Sequence, residues 1–349
     1  MPYRFTSTFR RSMLGLAIGL AMLGTTGASA QTRLSMSSWA APTHLLTQRV
    51  LGDWAKDVEA ATQGRVKFNL LPKAVASPAN TFDAVRDGLA DVSFILHGAI
   101  PGRFTLTQMV EFPQMGASGE LNSAVYQQLH DQYLAAASEH KGVKVLAVFT
   151  HGPGNIVMSG KRSIQRQEDL SGVKLRVGGG AVSELMTALG AVPLIRPGSE
   201  THDLLVGGVV DGTLVPYETY VSYRLENVVK NATRVPDGLY TLSFAVIMNE
   251  KAYEALSAQD KRAVDSLSGA KYARMAGKAW DDADKAGLEA MKKNGVNVVD
   301  ADPSLVAAIR EKSRPIEAAW VAEARKKGVD GALVLNKFRE ETRRLAAAR

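Results

Sequence analysis

Two stretches of the chain carry the same spacing of aspartate and glycine within the same series of elements, and this repetition constrains the fold more than any other feature. Asp83, Gly88 and Asp91 stand in the order D-x4-G-x2-D, and so do Asp203, Gly208 and Asp211. In each, a helical stretch ends at a glycine that tolerates a left-handed cap, and an aspartate opens an apolar strand. Before the first aspartate triplet closes, Arg33 to Trp39 predicts a strand and the stripe Leu46, Val50, Trp54, Val58 predicts an amphipathic helix stopped at Gly64. A strand Val66 to Leu71 ended by Pro72, a helix from about Pro78 and a strand Ala90 to Leu96 follow. The series returns as a strand Val173 to Val177, a helix over 181–189, a strand Val192 to Ile195, a helix through Leu205 and a strand Asp211 to Pro216. Strands alternating with helices build a parallel sheet covered on its faces, so two such series predict an α/β protein of two lobes.

The apolar runs Val143 to Phe149 and Leu242 to Met248 lie between and after the two series and are the expected strands joining the lobes. The predicted division is 31–150 plus about 241–279 for lobe I, and 151–240 plus about 280–349 for lobe II. Ser257, with Asp260 three residues on, caps a helical pattern running to about Lys293. Such a helix is about 50 Å long at roughly 1.5 Å per residue, enough to lie across both lobes, with kinks expected at Gly269, Gly277 and Gly287. A strand Val296 to Val299, a helix after Pro303 interrupted at Pro315, and a charged tail to Arg349 complete the chain.

Residues 1 to 30 read as a secretory signal. Arg4, Arg10 and Arg11 precede an apolar stretch from Met13 to Leu23, and Ala28-Ser29-Ala30 has the small-x-small form of a cleavage site before Gln31. The apolar stretch is about half the roughly 20 residues of a membrane-spanning helix, and no later segment reaches that length. The formal charge of +7 includes the three arginines of this leader, and the remaining basic residues are interspersed with acids, which argues against a nucleic-acid partner. The chain has no cysteine, so disulfides, cysteine-ligated metals and a thiol nucleophile are excluded. A soluble exported protein of two α/β lobes suggests a clamshell. Its ligand is expected in the crevice beyond the carboxyl ends of the strands.

Catalytic motifs are missing from the sequence. The six histidines, at 44, 97, 130, 140, 151 and 202, form no H-E-x-x-H, and no G-x-S-x-G occurs, so neither a metal nor a cofactor is expected. Gly178-Gly179-Gly180 fails the dinucleotide pattern because position 183 is serine; what it leaves is a helix N-terminus with free N–H groups directly after Arg176. A fixed guanidinium there presents paired donors to a carboxylate, and the helix dipole adds attraction of the same sign. On spacing alone a lone arginine after a strand fits a surface ion pair as well. Further cleft candidates follow from position: Trp39 and His44 beyond the first strand, His97 at the end of the third, and Tyr217 and Glu218 after Pro216, with Arg196 as another anion contact. Each also has an ordinary role, Trp39 in the core, the histidines in loops and Glu218 in a solvated turn.

Several segments together resemble a known family. They are Thr62-Gln63-Gly64-Arg65-Val66-Lys67-Phe68, the Asp83 to Asp91 motif, Pro101-Gly102-Arg103-Phe104 with Glu111-Phe112-Pro113, Asp169 to Val177, Leu189-Gly190-Ala191-Val192-Pro193, and Gly207 to Gly212. In order and spacing the chain is similar to the solute-binding proteins of tripartite ATP-independent periplasmic (TRAP) transporters, DctP type. The resemblance implies a periplasmic binding-protein clamshell with hinge strands and a long helix spanning both lobes. It also implies that Arg176 forms a salt bridge to the ligand carboxylate. Many members add a second arginine on the strand after the hinge; here that region reads His151-Gly152-Pro153-Gly154-Asn155, and Asn155 is the expected replacement donor.

The expected function is therefore a periplasmic receptor that captures a small organic acid and delivers it to small and large integral-membrane TRAP subunits, without catalysis. Trp39 and Tyr217 hint at a ligand with an apolar or aromatic body. Two alternatives share these features: the receptor of an ATP-driven importer or sensor kinase, and an exported α/β enzyme acting on small carboxylic acids with His97 or His44 as base and Glu218 as its orienting partner.

Overall fold

The computed structural model describes residues 1–3, 31–100 and 102–349, so residues 4–30 of the expected leader and the Pro101 end of one motif lie outside the described residues. The strands form two sheets. The first runs β2 (Val66–Leu70), β1 (Thr32–Met36), β3 (Val92–Leu96), β10 (Ser243–Asn249), β4 (Val143–Thr150), with β1 parallel to β2 and β3, and β10 antiparallel to β3 and β4. The second runs β11 (Asn297–Asp300), β9 (Asn231–Arg234), β5 (Asn155–Met158), β8 (Gly212–Val215), β6 (Lys174–Val177), β7 (Val192–Ile195). The chain crosses between the sheets from β4 to β5 and returns from β9 to β10.

The repeated motif does the same work in both sheets. Gly88 and Gly208 hold φ of 83° and 64°, the left-handed region that ends a helix. The aspartate that follows reaches sideways to the neighbouring parallel strand: Asp91 Oδ2 accepts the Ser35 N–H at 2.7 Å, and Asp211 Oδ2 accepts the Lys174 N–H at 2.8 Å. Each aspartate N–H bonds back to the carbonyl of the same residue. A charged acceptor thus fixes the register between the first and third strands of each series, and the likeness read from spacing is structural.

Packing around the sheets explains where the later elements depart from expectation. The helical pattern after Ser257 is two helices, Ala258–Ser266 and Ala270–Lys293, divided at Gly269, whose φ is 62°. The second does span the molecule: Tyr272, Ala276 and Trp280 pack in the core of the first sheet and Met291 in that of the second. Gly277 and Gly287 do not interrupt it. They are points of close approach, where a Cβ would overlap the carbonyls of Gly119 and Tyr217 respectively. Pro315 likewise lies inside an unbroken helix, Pro303–Lys326.

The tail is a helix, Gly331–Ala347, that buries Val334, Leu335 and Phe338. Those residues and Trp320 pack with Phe82, Ile95 and Phe112 of the first lobe, whereas Leu305 and Ile309 pack against the second. The segment expected to belong wholly to lobe II is therefore shared between the two.

Candidate functional site

Arg176 is the third residue of β6, followed by the three glycines and the helix Ala181–Ala188. Its side chain is 7% exposed. Nε and Nη2 both donate to the Arg196 carbonyl, at 2.9 and 2.7 Å. This fixes one edge of the guanidinium and leaves Nη1 without a hydrogen-bond partner among the described residues. Among the described residues no carboxylate lies within ion-pairing distance. Burial pulls its pKa below the ordinary value; the tyrosines Tyr240 and Tyr223 and the more distant Glu200 act the other way. A cation buried this far without a counter-ion is costly unless another anion is brought to it. Arg196 supplies its carbonyl here; its own side chain is half exposed and lies 3.8 Å from Glu200.

The two tyrosines beside the arginine come from elements that sequence reasoning passed over. Tyr240 sits in the return crossing from β9 to β10, and Tyr223 follows the short helix Thr219–Ser222. Burial holds both phenols in their neutral form, raising that of Tyr223 to about 12. Their signal in the sequence was indirect. A Cβ at Gly154 or Gly198 would overlap the rings of Tyr240 and Tyr223, so each glycine marks a ring packed on bare backbone. His151 lies among Tyr240, Phe244 and Trp280, with ring centroids 5.4, 6.2 and 5.6 Å away. Burial pushes its pKa down to about 4, so the ring is neutral near pH 7.

The other expected residues divide into two groups. His44 and Glu218, from different lobes, do meet: Nε2 of His44 is 3.7 Å from Oε1 of Glu218, and the imidazole stacks near Tyr223 and edge-on to Trp280. His44 Nδ1 accepts the Leu46 N–H, so the neutral ring carries its proton on Nε2, toward Glu218. Asn155 is buried at the start of β5, donating from Nδ2 to the Pro153 carbonyl. Trp39 packs on Phe94 at 4.6 Å and donates from Nε1 to the Phe94 carbonyl, leaving part of the ring exposed.

Two residues are held elsewhere. Tyr217 turns into the core beneath the long helix, where its hydroxyl has no partner and senses Arg234, Asp284 and Asp300 rather than Arg176. His97 is committed on both ring nitrogens, Nδ1 to Ser243 Oγ and Nε2 to His140 Nε2, each at 2.8 Å. Desolvation and the neighbouring histidines depress its pKa well below the ordinary value. An imidazole so occupied is a structural strut, and the alternative that named His97 or His44 as general base loses the first of these two candidates.

The family of bacterial extracellular solute-binding proteins, family 7 (DctP), matches residues 36–323. The chain belongs to this family. A TRAP periplasmic solute-binding protein from Bordetella bronchiseptica, solved with (R)- and (S)-mandelate, shares 40% identity and superimposes with a TM-score of 0.86 over 90% of this chain and 99% of its own. A marine-metagenome TRAP solute-binding protein in complex with 3-hydroxybenzoate shares 30% identity, with a TM-score of 0.83 over 90% and 99% of the two chains. A Comamonas testosteroni protein named outer membrane transporter protein TsaT is 28% identical over 95% of this chain and 98% of its own.

The chain is thus a two-lobed TRAP solute-binding receptor and not an enzyme. Members of the family work with membrane transporter components outside the cytoplasm. Among the described residues no helix is long and apolar enough to cross a membrane.

Proposed function

We propose that this DctP-family receptor binds a small aromatic monocarboxylate in the periplasm, with Arg176 as the anchor for the carboxylate. One observation carries the reading: a guanidinium buried at a helix N-terminus, fixed along one edge by the Arg196 carbonyl and lacking any counter-ion. Two neutral tyrosines beside it suit an aromatic body better than a second carboxylate, for which the described residues provide no further buried, unpaired arginine. Relatives that hold mandelate, benzoate and 3-hydroxybenzoate support the same class. Trp39, Asn155 and the His44–Glu218 pair complete the cleft in this reading; Tyr223 and Tyr240, in place of Tyr217, join Trp39 in facing the ligand's aromatic body.

The lobes, 31–150 with about 241–279 and 151–240 with the start of the tail, close about the two crossings between the sheets. Closure on the carboxylate shifts the population toward the form that small and large integral-membrane subunits accept. Export removes the leader, so the secreted protein begins at Gln31. Mass spectrometry of the small molecule that co-purifies with the protein, followed by a thermal-shift screen of aliphatic and aromatic acids, tests the assignment. Aromatic monocarboxylates are expected to raise the melting temperature; a response confined to dicarboxylates or sugar acids refutes the ligand class.

A further inference from the structure

The Glu111-Phe112-Pro113 motif plays no part in the site described so far, yet its acid occupies the boundary between the lobes. Phe112 anchors the segment in the first-lobe core against Trp320, at a centroid distance of 5.8 Å. Glu111 is 1% exposed, and its Oε1 is 3.4 Å from the Ser243 N–H of β10. Its Oε2 extends across to the second lobe, against Gly180 at the head of the helix that follows Arg176. A Cβ at Gly180 would overlap it, and Gly180 also holds a φ of 73°, so this glycine is required on two counts. Oε2 is completely buried and makes no hydrogen bond of normal geometry.

We propose that Glu111 is a positioning residue for closure: as a neutral acid it seats the second-lobe helix against the first lobe, so that closing on the ligand takes up one proton. The inference rests on the receptor reading above. Its physical basis is that a carboxylate with no cation beside it cannot be taken out of water in charged form at tolerable cost, whereas a carboxylic acid can. The groups facing it are the phenols Tyr126, from the helix Gly119–Leu129, and Tyr240, from the crossing between sheets, with the backbone N–H groups of Ser243 and Ala181. Gly98 is its neighbour from the loop after β3, where both nitrogens of His97 are already engaged. Burial pushes the Glu111 pKa up to about 8 against the opposing pull of the two N–H groups.

When the lobes part, Oε2 meets water and the carboxyl returns toward its ordinary value. The closed form then binds more protons than the open form between that value and about 8. Ligand affinity must fall as pH rises through this window, by up to roughly tenfold per pH unit, and level off above it.

The test is calorimetric titration of the secreted receptor with (R)-mandelate between pH 6 and pH 9. Wild-type affinity should weaken on the order of 90-fold across that range. E111Q, neutral at every pH, should restore tight binding with a flat profile, and E111A should bind weakly throughout. His44 opposite Glu218 is present in all three proteins, so the difference between profiles isolates Glu111. Parallel profiles for wild type and E111Q overturn the proposal. If mandelate fails to bind wild type at any pH, the ligand assignment is at fault, and small-angle scattering of the ligand-free protein reads the same linkage: lowering the pH from 9 to 6 should shift wild type toward the more compact closed form and leave E111Q unmoved, and matching responses of the two proteins overturn the proposal.

Discussion

Replacing Arg176 by methionine keeps the bulk of the side chain while removing its charge, and the structure makes opposite predictions for the empty and the loaded receptor. In the empty protein the guanidinium is buried beside phenols and a backbone carbonyl, with no carboxylate to offset it. Methionine forfeits the two bonds to the Arg196 carbonyl, worth about 1.5–3 kcal/mol each to a charged donor, but relieves an unpaired buried cation of comparable or larger cost. The unfolding midpoint of ligand-free Arg176→Met should therefore be unchanged or higher. In the loaded protein the same change strands a buried carboxylate. That costs about 3–5 kcal/mol, or from roughly 150-fold to several thousandfold in Kd. Denaturation with and without ligand reads both effects at once. At about 100 times the wild-type Kd, ligand adds roughly 2.7 kcal/mol to wild type and less than about 0.4 kcal/mol to the variant. A variant that loses stability when empty, as a truncated core does, or that keeps its ligand-induced gain, refutes the assignment of Arg176 as an anchor held in reserve for an anion.

Other substitutions separate packing from binding. Gly287→Ala places a Cβ onto the Tyr217 carbonyl, and backbone on both sides leaves little room to yield; a loss of about 1–3 kcal/mol is expected in urea denaturation. Phe338→Ala, in the terminal helix, should cost about 3–5 kcal/mol, because the ring is completely buried against the first lobe; a wild-type midpoint would mean that the tail does not dock. Tyr217→Phe removes a buried hydroxyl that has no partner, so calorimetry should find ligand affinity unchanged and denaturation should find stability equal or slightly higher.

The parts of the fold that were legible in the sequence are those enforced locally. A left-handed glycine followed by an aspartate that bonds a neighbouring strand is a short-range solution to ending a helix and starting a buried strand, so its repetition at Gly88 and Gly208 exposed the two-fold plan. Arg176 was legible for the same reason, lying between a strand end and a glycine turn. What escaped depends on distant partners. Pro315 and Gly277 read as breaks on propensity, yet tertiary packing carries the helices through them. The tail reads as charged because only one face, with Val334, Leu335 and Phe338, is apolar, and the surface it covers is more than 200 residues away in sequence at Phe82 and Phe112.

The same distinction bears on the residues expected at the candidate site. Position beyond a strand end locates a residue near the crevice but does not decide which way its side chain turns. Tyr217 and His97 satisfied the positional rule and were drawn off, one into the core under the long helix and the other to Ser243 and His140. Tyr223, Tyr240 and Glu111 broke the rule, coming from crossings and loops. Tyr223 and Tyr240 left a trace only in the glycines they cover, Gly198 and Gly154, whereas Glu111, which covers Gly180, also stood in a motif of the family. Gly154 and Gly198 therefore mark Tyr240 and Tyr223 better than the tyrosines' own positions do, since bare backbone is needed wherever a large side chain from elsewhere in the fold must lie flat against the chain. Among these three contacts, Glu111 against Gly180 joins the two lobes with an ionisable group from a family motif, and there closure of the receptor and uptake of a proton become a single event.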